Sequence, residues 1–278
     1  TDSLNLSADA LSAAHSFIRS TYGPSYSLEH ARVYKTKSKG AQEAHEAIRP
    51  TDVTRTPADI KQRLDAQQHK LYELIWQRFM ATQMPEAVFD ATSIDIESKG
   101  KKAAYLFHAT GSVLKFDGFL KVYPLKTEDI LLPEVTKGET LHLDHLEPAQ
   151  HFTEPPPRYS EASLIKMLEK NGIGRPSTYA PILGTIQERN YVQKNEAKRF
   201  QPTEMGATVT DMLVEHFPDI VDIAFTAEME EKLDKIAEGR EEWVPTIRMF
   251  YEPFEKRLQT KYETVEKQTV EETTDEIC

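Results

Sequence analysis

The chain has almost no cysteine, no long apolar run and no tight cluster of metal-binding side chains. Its single cysteine, Cys278, excludes an internal disulfide framework and fits a reducing compartment. No apolar stretch approaches the ~20 residues that span a bilayer, so we expect no membrane partner. The opening TDSLNLSADALSAAH has neither an initiator Met nor the basic-then-apolar order of a signal peptide. His108, His142, His145 and His151 fall in separate runs without ligand spacing, which argues against a metal centre. No internal repeat is present, and both ends read as cuts through a longer protein.

With 39% hydrophobic and 28% charged residues over 278 positions, the composition is that of a soluble globular chain with room for two or three domains. A net charge of −11 argues against nucleic acid as a partner, but the charge is unevenly spread. Residues 225–242 carry seven acids and three bases, whereas residues 158–200 carry eight bases and four acids. Residues 31–49 are also basic, five against two. Counterion release depends on the patch that meets the phosphates, so the basic stretches outweigh the total.

Three zones and a tail follow. Residues 1–85 read as a helical domain. Ser7 caps a helix with Leu11, Ala14, Ile18 and Tyr22 on one face, ended by Gly23-Pro24. Thr56-Pro57-Ala58-Asp59 opens another helical stretch, in which Leu64, Leu71, Leu74, Ile75 and Phe79 recur at helical spacing. Residues 86–157 change period. VFDATSIDIES, KAAYLFHAT, VLKFDGFLKVY and TLHLDHLEP are short runs, several of them alternating, which predicts an antiparallel β-rich domain with a proline-rich exit. Residues 158–262 return to helices, and residues 263–278 form an acidic linker. The fold class expected is therefore multidomain α+β. Trp76 and Trp243 sit in amphipathic patterns and read as core.

The most informative stretch is NGIGRPSTYA, residues 171–180. Before it, Ser160 caps a helix with Leu164, Met167 and Leu168 on one face; after it, Pro176 opens a second helix. YVQKNEAKRFQPT then reads as strand, turn and strand. Helix, glycine turn, helix and hairpin is the order of a winged helix-turn-helix. Gly172 and Gly174 permit positive φ, and Ser177 and Thr178 lie in a first helical turn, where free N–H groups favour an anion. Arg175 can fork onto a phosphate, with Tyr179 close behind. The plain alternative is a capped helix with a surface arginine. Arg189 extends the same DNA groove, or is a basic helix end that favours its own dipole; Lys170, Lys194, Lys198 and Arg199 suit backbone tracking, or are simply solvated charges.

From SEASLIKMLEKNGIGRPSTYAPILGTIQERNYV the chain closely resembles the bacterial type IA DNA topoisomerase I family. AQEAHEAIRPTD at 41–52 and the opening TDS match in the expected order, as do FDGFLKVYP and PAQHFTEPPPRYSEASL. The resemblance implies an enzyme that cuts one DNA strand with a tyrosine, passes a strand through the gap and reseals it, relaxing negative supercoils. It implies that residues 86–157 form an arch and hinge, and that the winged-helix-like domain grips single-stranded DNA. The nucleophile in this family lies in Tyr-x-Arg-Thr-Asp-Ser. Because this chain opens at Thr1-Asp2-Ser3, we expect the tyrosine to precede it and the fragment alone to be inactive. Magnesium belongs, by the same resemblance, to an acidic domain outside this chain, and none is expected here. Cys278 would begin a zinc module that follows. We expect a monomeric, cytoplasmic, nucleoid-associated protein with DNA as its partner.

For the chemistry itself, AHEAIRP supplies the candidates. Phosphodiester exchange needs charge neutralisation and protonation of the leaving oxygen, and imidazole titrates in a suitable range. His45 is assigned to the phosphate beside the scissile bond, with Asp2 accepting a hydrogen bond from its ring. The alternative for His45 is a cap or core histidine. Arg49 contacts phosphate or forms a structural pair with Glu46. Two rival readings of the whole chain stay open: a non-enzymatic winged-helix module that binds duplex DNA, and an acidic interaction scaffold that binds none.

Overall fold

The structure is a computed structural model that describes residues 3–34, 45–100, 103–126 and 128–265. Asp2, the AQEA of AQEAHEAIRPTD, and the tail from 266 with Cys278 lie outside them. The chain divides into two compact units, Thr1–Gln150 and His151–Cys278.

In the first unit, α1 (Ala8–Tyr22) starts where the Ser7 hydroxyl accepts the Ala10 N–H at 3.2 Å. It ends at Gly23, whose φ of +97° suits glycine. A short α2 (Pro57–Ile60) has a reciprocal Thr56–Asp59 cap. α3 (Ala66–Thr82) begins with a second such box between Asp65 and Gln68. Ala14 and Ile18 of α1 pack with Trp76, Phe79 and Met80 of α3, and with Val53, Met84 and Val122. Trp76 is buried as core, and its indole N–H donates to the Val53 carbonyl at 2.9 Å. The buried face of α3 differs from the expected one. Leu71 and Leu74 are 59% and 50% exposed, because the face that packs on the core runs through Tyr72, Trp76, Phe79 and Met80 instead.

The β-zone is smaller than its sequence pattern suggests. β1 (Val88–Lys99) and β2 (Ala104–Phe116) form one long antiparallel hairpin, and a single bridge joins Ser112 to Ile130. The last run, TLHLDHLEP, forms no strand. Its apolar residues Leu141, Leu143 and Leu146 are exposed. Alternation marks one face for burial, but a strand also needs a neighbouring backbone to bond, and among the described residues none pairs with this one.

The second unit keeps the predicted order. α4 (Glu161–Lys170) is followed by the glycine turn, α5 (Pro176–Glu188), β3 (Val192–Lys194) and β4 (Phe200–Pro202). Then come α6 (Glu204–His216), α7 (Pro218–Val221), α8 (Ile223–Ala237) and α9 (Trp243–Thr264). Gly239, at φ +72°, separates α8 from α9. Phe225, Phe250 and Phe254 pack between them, the last two stacked at 5.5 Å. Trp243 is a correction. It opens α9 and is 64% exposed, not core, because the aromatic contacts of α9 begin a turn or more further along.

Candidate nucleic-acid interface

The turn after α4 is built by backbone chemistry. Gly172 adopts φ +72°, its N–H donates to the Glu169 carbonyl at 3.1 Å, and the Ile173 N–H donates to Leu168 at 2.9 Å. That pair of bonds is a Schellman ending. Gly174 is also left-handed, at φ +78°, and a Cβ placed there would meet the Tyr179 ring at 2.8 Å. The turn therefore needs glycine for conformation and for space. Arg175 is extended and stands immediately before α5. Its N–H donates to the Thr178 hydroxyl at 2.8 Å, and its carbonyl accepts the Thr178 N–H at 2.8 Å. Pro176 takes the first helical position, where a missing N–H costs nothing.

The side chains of this turn divide into two groups. Thr178 spends its hydroxyl on the cap, and the Tyr179 hydroxyl donates to the Gly174 carbonyl at 3.4 Å. Ser177 is exposed on the first turn. Arg175 is held from outside the motif. Its Nη1 donates to Glu230 Oε2 at 2.6 Å and to the Gly174 carbonyl at 2.8 Å, and its Nη2 donates to Asp234 Oδ2 at 2.6 Å. Glu230 Oε1 also accepts the Gly174 N–H at 2.6 Å. Burial works against the Arg175 cation, but the Asp234 and Glu230 carboxylates outweigh it and hold its pKa above the ordinary arginine value.

Sequence reasoning missed Glu230 and Asp234. They stand four residues apart on α8, a spacing that puts both on one helical face. That spacing was the available signal, but it lies in a stretch whose general acidity reads as solvated surface. Arg189 is not brought to the turn. It is the exposed C-cap of α5, about 20 Å along the helix axis from Arg175. Two of the other basic residues have partners of their own: Lys194 pairs with Glu161 at 2.5 Å, and Arg199 donates to the Arg158 carbonyl at 2.9 Å.

In the first unit, His45 is exposed at the start of the described part of AHEAIRP. Glu46 and Arg49 form a forked pair at 2.7 and 3.1 Å. Glu46 Oε1 also accepts the Ser7 N–H at 2.7 Å, and the Ala47 N–H donates to the Asn5 carbonyl at 2.7 Å. The segment is thereby tied to the start of α1. The Arg49 guanidinium, with the Ser7 N–H, holds the Glu46 carboxyl down at about 2. Arg49 thus forms the structural pair with Glu46, one of the two roles open to it. Arg49 also edges a groove of about 530 Å³ between α1 and residues 50–54. The Asp2–His45 hydrogen bond cannot be placed, because Asp2 lies outside the described residues.

Helices with small antiparallel sheets place the chain in the α+β class. Residues 1–248 match the family model described as DNA topoisomerase. The DNA topoisomerase 1 of Vibrio cholerae is 50% identical over 262 residues, covering 94% of this chain and 29% of that protein. That of Pseudomonas aeruginosa is 47% identical over 262 residues, 93% of this chain and 29% of that protein. The full-length topoisomerase I of Thermotoga maritima superimposes with a TM-score of 0.76 at 35% identity, covering 92% of this chain and 41% of that one. This chain belongs to the bacterial type IA DNA topoisomerase I family. It spans about a third of the length of the curated relatives it matches.

Proposed function

We propose that this chain is the strand-holding part of a type IA DNA topoisomerase. It grips single-stranded DNA at the start of α5 while a tyrosine outside residues 1–278 cuts and reseals the strand. The observation that carries the reading is the α5 start: a left-handed glycine turn, a helix N-terminus with exposed Ser177 and Thr178, and an arginine at its edge. Helix starts of this kind favour phosphate. The helix, turn, helix and hairpin order supports a winged-helix-like domain. The hairpin zone serves as the arch of the longer protein.

His45 neutralises the phosphate next to the scissile bond, with Asp2 as its hydrogen-bond acceptor. The Glu46–Arg49 pair holds that segment against α1. Among the described residues, no three His, Cys, Asp or Glu side chains converge where an ion could sit. Magnesium, which the family resemblance implies for the longer protein, would be held by its acidic domain rather than by these residues. Among the described residues, no helix is long and apolar enough to cross a membrane. A monomeric, cytoplasmic, nucleoid-associated protein accords with this reading.

The test is fluorescence anisotropy of the chain with single-stranded and duplex oligonucleotides across a salt series. Tighter binding of the single strand, weakening with salt, is the expected result. Preference for duplex would point to a transcription-factor-like module, and absence of binding to an interaction scaffold. In the longer enzyme, His45→Ala should reduce cleavage-complex formation; unchanged cleavage would remove His45 from the site.

A further inference from the structure

Two donors of the turn before α5, the Gly174 N–H and the Arg175 guanidinium, are already in use. A phosphate approaching this turn would be expected to take the Gly174 N–H and the Arg175 guanidinium, a backbone amide beside a forked cation. In the structure one carboxylate has both: Glu230 reaches Gly174 N with Oε1 and Arg175 Nη1 with Oε2, each at 2.6 Å. Asp234, one helical turn further along α8, holds Nη2 at 2.6 Å. Two carboxylates face one guanidinium, so the cluster carries a net negative charge and repels a further anion. The three side chains are 31%, 23% and 45% exposed for Arg175, Glu230 and Asp234, so solvent, and a strand, can reach them.

We propose that Glu230, aided by Asp234, is a built-in competitor for DNA phosphate at the Gly174–Arg175 turn. The strand gains Arg175 only as these carboxylates give it up, so the α8 pair sets how tightly the turn grips and how readily it lets go. For a protein that must hold a strand and later release it, an internal anion keeps the free turn closed and limits its affinity. This inference rests on the single-strand-binding function proposed above, and adds the residues that limit that binding.

The test is anisotropy of the full chain with an oligothymidylate across a salt series. Glu230→Gln keeps the shape and an acceptor for Gly174 but removes the charge. It should bind about threefold to tenfold tighter, and the slope of log affinity against log salt should steepen by about 0.7, as for one added single-strand phosphate contact. Asp234→Asn leaves the Glu230–Gly174 bond untouched and should show a smaller gain, which also covers the case of a poorly folded Glu230 variant. Glu231→Gln removes the same charge one residue away, where the side chain is 69% exposed and pairs with Lys235. It should change affinity by less than about twofold. Adding Arg175→Ala to Glu230→Gln should erase the gain.

Equal or weaker binding by Glu230→Gln and Asp234→Asn, with Arg175→Ala still weakening the parent, would overturn the competitor role. The α8 pair would then be a strut that positions Arg175, and the proposed function would stand. A gain matched by Glu231→Gln would also overturn it, as a general charge effect. If neither Arg175→Ala nor any α8 variant changes affinity, the strand-holding role of this turn fails, and the competitor role with it.

Discussion

Arg49 and Arg175 are two of the arginines that sequence reasoning nominated for phosphate, and both are held by carboxylates. The partner of Arg49 is Glu46, three residues away in the same segment. The partners of Arg175 lie 55 and 59 residues away on another helix. The first cluster balances one cation with one anion, while the second sets one cation against two. A near-neighbour pair shapes its own loop, so it can be foreseen from spacing. A long-range pair reports how two elements pack, and it changes what the arginine is free to do.

The strongest way to break this contrast is Arg175→Ala. It leaves Glu230 and Asp234 facing each other without a cation, and should destabilise the second unit by about 2 kcal/mol, below the range for fully buried pairs because the trio is partly exposed. Urea unfolding of the helical second unit, followed by far-ultraviolet circular dichroism, measures it. Gly174→Ala comes next. A side chain at φ +78°, set against the Tyr179 ring, should cost about 1–2 kcal/mol by the same measurement. A cost below about 0.5 kcal/mol would show that the turn tolerates a Cβ.

Glu46→Gln sharpens the comparison from the other side. Its carboxyl is held at about 2, down from an ordinary 4.5, by the Arg49 guanidinium and the Ser7 N–H. The lowered value means that the folded state binds fewer protons here. Its stabilisation is fully present above pH 4.5 and is lost as pH falls toward 2. Because the pair is partly exposed, the effect should be only about 0.5 kcal/mol. The difference between parent and Glu46→Gln, followed by Trp76 fluorescence in urea, should fade over that acid window. A difference that persists undiminished to pH 2 would mean that packing, not charge, is what the variant disturbs. The smallest effect is expected for Arg189→Ala: less than about 0.5 kcal/mol in stability, and a salt slope for single-strand binding shallower by about 0.7 if the strand follows α5 to its end.

The legible features share one property: their partners are close in sequence. Ser7 on Ala10, Thr56 with Asp59, Ser160 with Ser163 and Pro176 at a helix start all act within four residues. Such signals placed the elements well, including the Gly172 ending and the β3–β4 hairpin. They failed where burial depends on another element. Leu71 and Leu74 fit a helical stripe but lie off the face that packs on the core, Trp243 fits an amphipathic pattern but stays exposed, and the run 140–148 alternates without a strand beside it.

Residue order alone therefore settled the helices of both units, the turn that needs glycine at 172 and 174, and the motifs that place the chain in its family. Each rests on backbone angles and hydrogen bonds closed within a turn or two. Packing alone settled that Arg175 would meet Glu230 and Asp234, since no local rule brings α8 to the start of α5. A charge can be read from its letter, but its strength and availability depend on what the fold sets beside it.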